Sequence, residues 1–133
     1  MLSIPLDTLG WIIVKAREYD VKEEDSADGE GASDDLMGVL QDRADDPTEA
    51  ELKSWIEDLT DTQQAELVAL FWLGRGDGDA AEFPDLVQQA RGARTRRGKT
   101  SAYLLGEPLL ADYLEEGLEL LEVDTSEIET MLR

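Results

Sequence analysis

The chain has 133 residues and carries 32 Asp and Glu against 12 Lys and Arg, a formal charge of −20. It contains no His and no Cys, which excludes disulfides, thiolate and imidazole metal sites, a Cys nucleophile and a Ser-His-Asp relay. An apolar fraction of 41% is enough for one buried core and too high for a wholly disordered chain.

The sequence reads as helical almost throughout, because β-branched residues are sparse and seldom alternate with polar ones. A first helix is predicted over Asp7–Val21, with Asp7 as its cap. Leu6, Leu9, Ile13 and Ala16 form its apolar stripe, and Trp11, Ile12 and Val14 widen it towards all faces. Such a helix is either central to the core or shared with a second copy of the chain. Glu23 to Asp35 is dense in acid and otherwise mainly Ser, Ala and Gly. It cannot bury enough apolar area to offset its ordering entropy, so a flexible acidic loop is expected.

A short helix is predicted over Asp35–Ala44. Asp46-Pro47-Thr48-Glu49 then starts another, with Leu52, Trp55, Ile56 and Leu59 as its inward face. Thr60 to Gln63 matches the capping box that opens the next helix, whose stripe is Leu67, Leu70, Phe71 and Gly74. The short connection predicts an antiparallel hairpin of these two helices, and Gly74, Gly76 and Gly78 are read as ending the second. Ala80–Ala93 follows, with Phe83, Leu86, Val87 and Ala90 inward, and Pro84 in the first turn. Arg91 to Lys99 reads as a basic, Gly-broken connector, and Thr100–Leu105 as a short helix stopped by Gly106. Pro108 opens the last long helix, to about Leu121, with Gly117 on its inward face allowing another backbone to approach. Residues 122–133 are expected to fray. The whole is predicted to be a single all-α domain, a bundle of six or seven helices.

Four features invite a functional reading. Leu73 to Asp79 fails as a phosphate loop: it follows a helix and lacks Gly-Lys-Ser/Thr. A glycine cap explains it, with Arg75 beside Trp72 as a possible recognition surface. Glu115, Glu116 and Glu119 stand one turn apart, and carboxylates alone can hold Mg²⁺ or Mn²⁺. Their spacing is similar to the acidic half-motif of all-α nucleotide pyrophosphohydrolases, but no second acidic pair follows convincingly, and a solvated acidic face is the plainer reading. Arg91, Arg94, Arg96, Arg97 and Lys99 form a basic island that suits anions. No aromatic residue lies within it to stack bases, and neutralising the acidic remainder accounts for it. The acidic loop would attract a basic partner or simply solubilise the chain.

Three blocks in order carry a resemblance: Lys15 to Asp20; Ala65 to Leu70 running into Trp72 to Asp77; and Tyr103 to Gly106 running on to Leu109–Leu118. Together they resemble a family of small, mainly alphaproteobacterial proteins catalogued as domain-of-unknown-function family 3775 (DUF3775), over about Leu6 to Leu121. The resemblance implies a bacterial, stand-alone cytoplasmic domain and no catalytic residue. A site shared by that family would lie in the Trp72, Arg75 and Asp77 block and the Tyr103, Asp112 and Tyr113 block.

The expected function is therefore a non-enzymatic binding or regulatory module, with a carboxylate-metal phosphohydrolase as the alternative. No cofactor is implied. The longest apolar run, Trp11–Val14, is far short of the ~20 residues that span a membrane. Met1–Thr8 has no basic region and Asp7 interrupts any signal core, so the expected compartment is the cytoplasm. The charge opposes nucleic acid and anionic membranes and favours a basic protein partner, with a homodimer through the first helix as a further possibility. The excess of acid over Lys also matches a salt-adapted proteome, which needs no partner.

Overall fold

The computed structural model describes residues 2–28, 47–97 and 99–123. Among them are six α-helices: α1 Leu6–Asp28, α2 Pro47–Glu57, α3 Asp61–Arg75, α4 Phe83–Arg97, α5 Thr100–Leu105 and α6 Leu110–Leu120. A 3₁₀ turn over Ala80–Glu82 precedes α4, and no strand occurs among the described residues. The all-α bundle is thus as expected. The predicted helix over Asp35–Ala44 and the frayed end beyond Val123 lie outside the described residues.

α3 is the central element. Every residue from Gln64 to Phe71 is buried, and so is Leu73. A helix apolar on nearly every side needs neighbours on more than one face, and α4 and α6 supply them. α1 packs on α6 and α2, and α2 packs chiefly on α1 and α5. The predicted α2–α3 hairpin is therefore not made. The turn between them is short, but α3's faces are already taken. One continuous core results, built from Leu9, Ile12, Ile13, Leu52, Ile56, Leu67, Leu70, Phe71, Leu104, Leu110 and Leu114 among others.

Local chemistry sets the helix ends. The Thr60 Oγ1 accepts from the Gln63 N–H at 3.1 Å and the Gln63 Oε1 accepts from the Thr60 N–H at 3.0 Å, the capping box read from the sequence. Gly76 closes α3 in the left-handed region at φ 100°, donating to the Leu73 and Trp72 carbonyls. Leu109 adopts φ 60° before α6 and offers no side-chain cap. Asp20 of α1 substitutes for it, accepting the Ala111 N–H at 3.1 Å. The start of the chain is tied down by a buried carboxylate: Glu66 accepts from the Ser3 N–H at 2.8 Å and from its hydroxyl at 3.0 Å.

Two glycines bring α3 and α6 together. A Cβ on Gly74 would overlap the Tyr113 carbonyl, and one on Gly117 would overlap the Leu70 carbonyl. Gly117 thus acts as its position on the stripe suggests. Gly74, read as part of a helix end, lies inside α3 and serves packing instead.

Four other expectations are corrected. α1 continues to Asp28 and takes in the first part of the acidic stretch, since no Gly or Pro interrupts Lys22–Asp28; residues 29–35 of the expected loop lie outside the described residues. α4 continues through Gly92 to Arg97, so the basic connector is mostly helix. One glycine costs a helix only ~1 kcal/mol, which a continuing helix absorbs. Trp55 is 39% exposed rather than inward, and Trp11 is 46% exposed. α1 is therefore buried on one side and open at Trp11. Finally, α6 begins at Leu110, two residues after Pro108.

Candidate functional site

The end of α3 opens into a cleft of about 560 Å³. α3 and the turn after it contribute Trp72, Arg75 and Asp77; the 3₁₀ turn and α4 contribute Glu82, Asp85, Leu86 and Gln89; α5 contributes Tyr103.

Each wall has a local cause. The Gly76 cap folds the chain back so that the Asp77 N–H donates to the Trp72 carbonyl at 3.0 Å. That turn sets the Asp77 carboxylate beside Arg75, whose Nε donates to Asp77 Oδ2 at 3.0 Å and whose Nη2 donates to the same oxygen. The Arg75 guanidinium also lies 5.1 Å from the Phe71 ring centroid, within cation–π range, and 4.0 Å from Glu107. The hydrogen bond that Asp77 accepts, with its charge, holds the Arg75 pKa above the ordinary guanidinium value despite some desolvation. Arg75 is thus a fixed cation.

Across the cleft, the Trp72 Nε1–H donates to the Tyr103 hydroxyl at 2.9 Å. This bond satisfies the polar edge of the indole and ties α3 to α5. Asp79 caps the 3₁₀ turn: its carboxylate accepts the Glu82 N–H at 3.1 Å, and Glu82 accepts the Asp79 N–H at 3.0 Å. Phe83 is thereby sunk into the core, while Glu82 and Asp85 stay exposed on the rim. Three carboxylates, Asp77, Glu82 and Asp85, face one guanidinium in a cleft with two aromatic residues.

Of the residues singled out in the sequence, Trp72, Arg75, Asp77 and Tyr103 come together here. Asp112 and Tyr113 do not join them. Tyr113 is half-buried and stands edge-on to Phe71, with centroids 5.6 Å apart. Asp112 belongs to a second cluster, in which Arg17 of α1 donates to Asp112 at 2.9 Å and to Glu115 at 2.7 Å. Burial opposes the Arg17 charge, but Glu115 and Asp112 outweigh it and hold the pKa above the ordinary value. The Arg17 Nε is buried without a hydrogen-bond partner. Arg94, Arg96 and Arg97 lie on the last turns of α4, beyond the turn that lines the cleft.

The carboxylates of the metal reading are spread apart in use. Glu115 is engaged by Arg17, while Glu116 and Glu119 are exposed. Among the described residues, no three acids converge as a metal site requires. Sequence reasoning missed Glu82, Asp85, Leu86, Gln89 and Arg17. The signal for the first four was available: an Asp79/Glu82 capping box followed by residues at helical spacing on one face. Arg17 carried no such signal.

The arrangement defines a helical domain with an acidic, aromatic-walled cleft. The profile of a protein family of unknown function, DUF3775, matches residues 49–123, more than half of the chain, and the chain belongs to that family. The match takes in every residue of the cleft and leaves out α1 with Arg17 and Trp11. No curated protein and no solved structure matches the chain.

Proposed function

We propose that this protein is a non-enzymatic binding module of the bacterial cytoplasm, and that its cleft receives a basic side chain from a protein partner. One observation carries the reading: among the described residues, three carboxylates and one cation share a cleft with Trp72 and Tyr103. A guanidinium or ammonium gains charge attraction from the carboxylates and cation–π attraction from the aromatic rings. Arg75 is already held by Asp77, so an incoming anion would have to displace that carboxylate, whereas an incoming cation would not. The chain's charge of −20 would draw a basic partner from a distance.

Chemical-shift mapping with N-acetyl-arginine amide tests the reading, with N-acetyl-glutamate amide as control. Saturable shifts at Trp72, Tyr103 and Asp85 are expected with the first and none with the second. Shifts scattered over acidic helix faces would overturn the proposal, as would a cleft that responds only to the acidic compound.

A further inference from the structure

A second surface lies on α1 and α2, neither of which contributes a described residue to the cleft. Lys15 of α1 meets Glu51 of α2 at 3.0 Å. At the other end of the same pair, the Gln63 side chain bridges the Ser3 carbonyl before α1 and the Thr60 N–H after α2. α1 and α2 therefore run antiparallel. One turn before Lys15 stands Trp11, and one turn after Glu51 stands Trp55. Antiparallel register places the two tryptophans at facing positions on the same edge of the seam. Both are exposed, at 46% and 39%.

Among the described residues on this edge, carboxylates outnumber cations. Asp7, Glu18 and Asp58 are exposed beside it, and Glu51 is half-buried at its centre. Lys15 is engaged by Glu51 and lies within 3.9 Å of Glu18, so its charge is balanced in place. Large apolar rings framed by carboxylates suit an occupant that supplies both apolar area and positive charge. A second copy of this chain would bring carboxylates against carboxylates, at a cost in like-charge repulsion.

We infer that the Trp11–Trp55 edge of the α1–α2 seam is a docking surface for a basic amphipathic helix of a protein partner. Apolar side chains of that helix cover the two indoles, and its Lys or Arg residues meet Asp7, Glu18 and Asp58. Trp11 and Trp55 act as the anchors, as buried tryptophans commonly do at interfaces. This inference does not depend on the cleft: no residue of the cleft lies on α1 or α2.

The chain has three tryptophans, two on this edge and Trp72 in the cleft. Labelling with 5-fluorotryptophan gives one ¹⁹F resonance for each, so the two surfaces report separately. The probe is an amphipathic helical peptide of Leu and Lys, with a Ser and Lys peptide of equal charge as the control for plain charge attraction. The Leu and Lys peptide is expected to shift the Trp11 and Trp55 resonances saturably and to bind at least about tenfold tighter than the Ser and Lys peptide. Trp11→Ala with Trp55→Ala is expected to abolish that preference. Asp58→Lys, which leaves both indoles in place, is expected to weaken binding and flatten its salt dependence. Equal binding of the two peptides, to within about twofold, overturns the inference. So does a shift confined to Trp72, or self-association in place of peptide binding.

Discussion

Two arginines among the described residues meet carboxylates, and they do so for different ends. Arg17 joins residues 95 and 98 positions away, Asp112 and Glu115, and so stitches α1 to α6. Arg75 makes its hydrogen-bonded pair with Asp77, two positions away across a single turn, and reaches the distant Glu107 only at 4.0 Å. The first pairing exists only when the chain is folded and therefore adds to the fold. The second is nearly as available to a local turn as to the whole protein and adds little to stability. It fixes a cation at the mouth of a cleft. The sequence separation of an ion pair, more than its count of hydrogen bonds, separates a brace from a piece of recognition surface.

That contrast can be broken most severely at Gly74. Gly74→Ala drives a Cβ into the Tyr113 carbonyl, on backbone that cannot turn aside as a side chain would. A loss of about 3 kcal/mol or more is expected by denaturant unfolding, with both arginine clusters disturbed together. Next in size is the separation of the clusters themselves. Arg17→Ala is expected to cost about 1 kcal/mol in stability while leaving arginine-amide binding unchanged, because its pairs are half-exposed. Arg75→Ala is expected to leave stability within about 0.5 kcal/mol and to alter binding in the cleft. If both variants changed stability alone, the distinction between brace and recognition surface would fail. Gly76→Ala, at φ 100°, is expected to cost about 1 kcal/mol and to loosen Asp77.

The smallest effect concerns pH. Burial raises the Asp20 pKa, against the hydrogen bond from Ala111. The folded state thus binds that proton more tightly than the unfolded chain does. The corresponding stability is fully present below the ordinary carboxylate pKa and is lost as pH rises through the raised value. Relative to Asp20→Asn, the native protein should gain stability as pH falls from neutrality through that window. Urea midpoints of the two proteins against pH measure it, and parallel curves would count against the assignment.

Much of the frame was legible because its signals are local. Pro47, the Thr60–Gln63 box and the spacing of Leu67, Leu70 and Phe71 act within one or two turns. Gly117 was legible because a glycine on an apolar stripe has few other uses. The cleft was legible in pieces: Trp72, Arg75, Asp77 and Tyr103 stood out, but Trp72 and Tyr103 are 31 positions apart, and only packing brings them together. Asp112 stood out equally and went elsewhere, since its place on α6 turns it towards Arg17. Glu82 and Asp85 had a local signal in the Asp79–Glu82 box and its spacing, but nothing local set a cleft wall apart from a solvated helix face. The errors at Gly92 and Trp55 have different causes: at Gly92 a glycine penalty of about 1 kcal/mol is absorbed by the continuing helix, and at Trp55 a large apolar residue at helical spacing lies off the buried side of its helix.

The glycine seam has a mechanical consequence for the cleft. Most packed helices are held ~8–10 Å apart by side chains, which can change rotamer and so give the joint some play. Where α3 meets α6, backbone faces backbone at Gly74 and Gly117, and that play is missing. The wall of the cleft that carries Trp72 and Arg75 rides on this stiff pair. Of the opposite wall, Asp85, Leu86 and Gln89 ride on α4, itself packed on α3, whereas Tyr103 rides on a six-residue helix with no side-chain cap at its start. The Tyr103 side is thus the less firmly anchored one, and widening of the cleft is expected there. A single hydrogen bond, from Trp72 to Tyr103, latches that side of the cleft to the stiff helix pair.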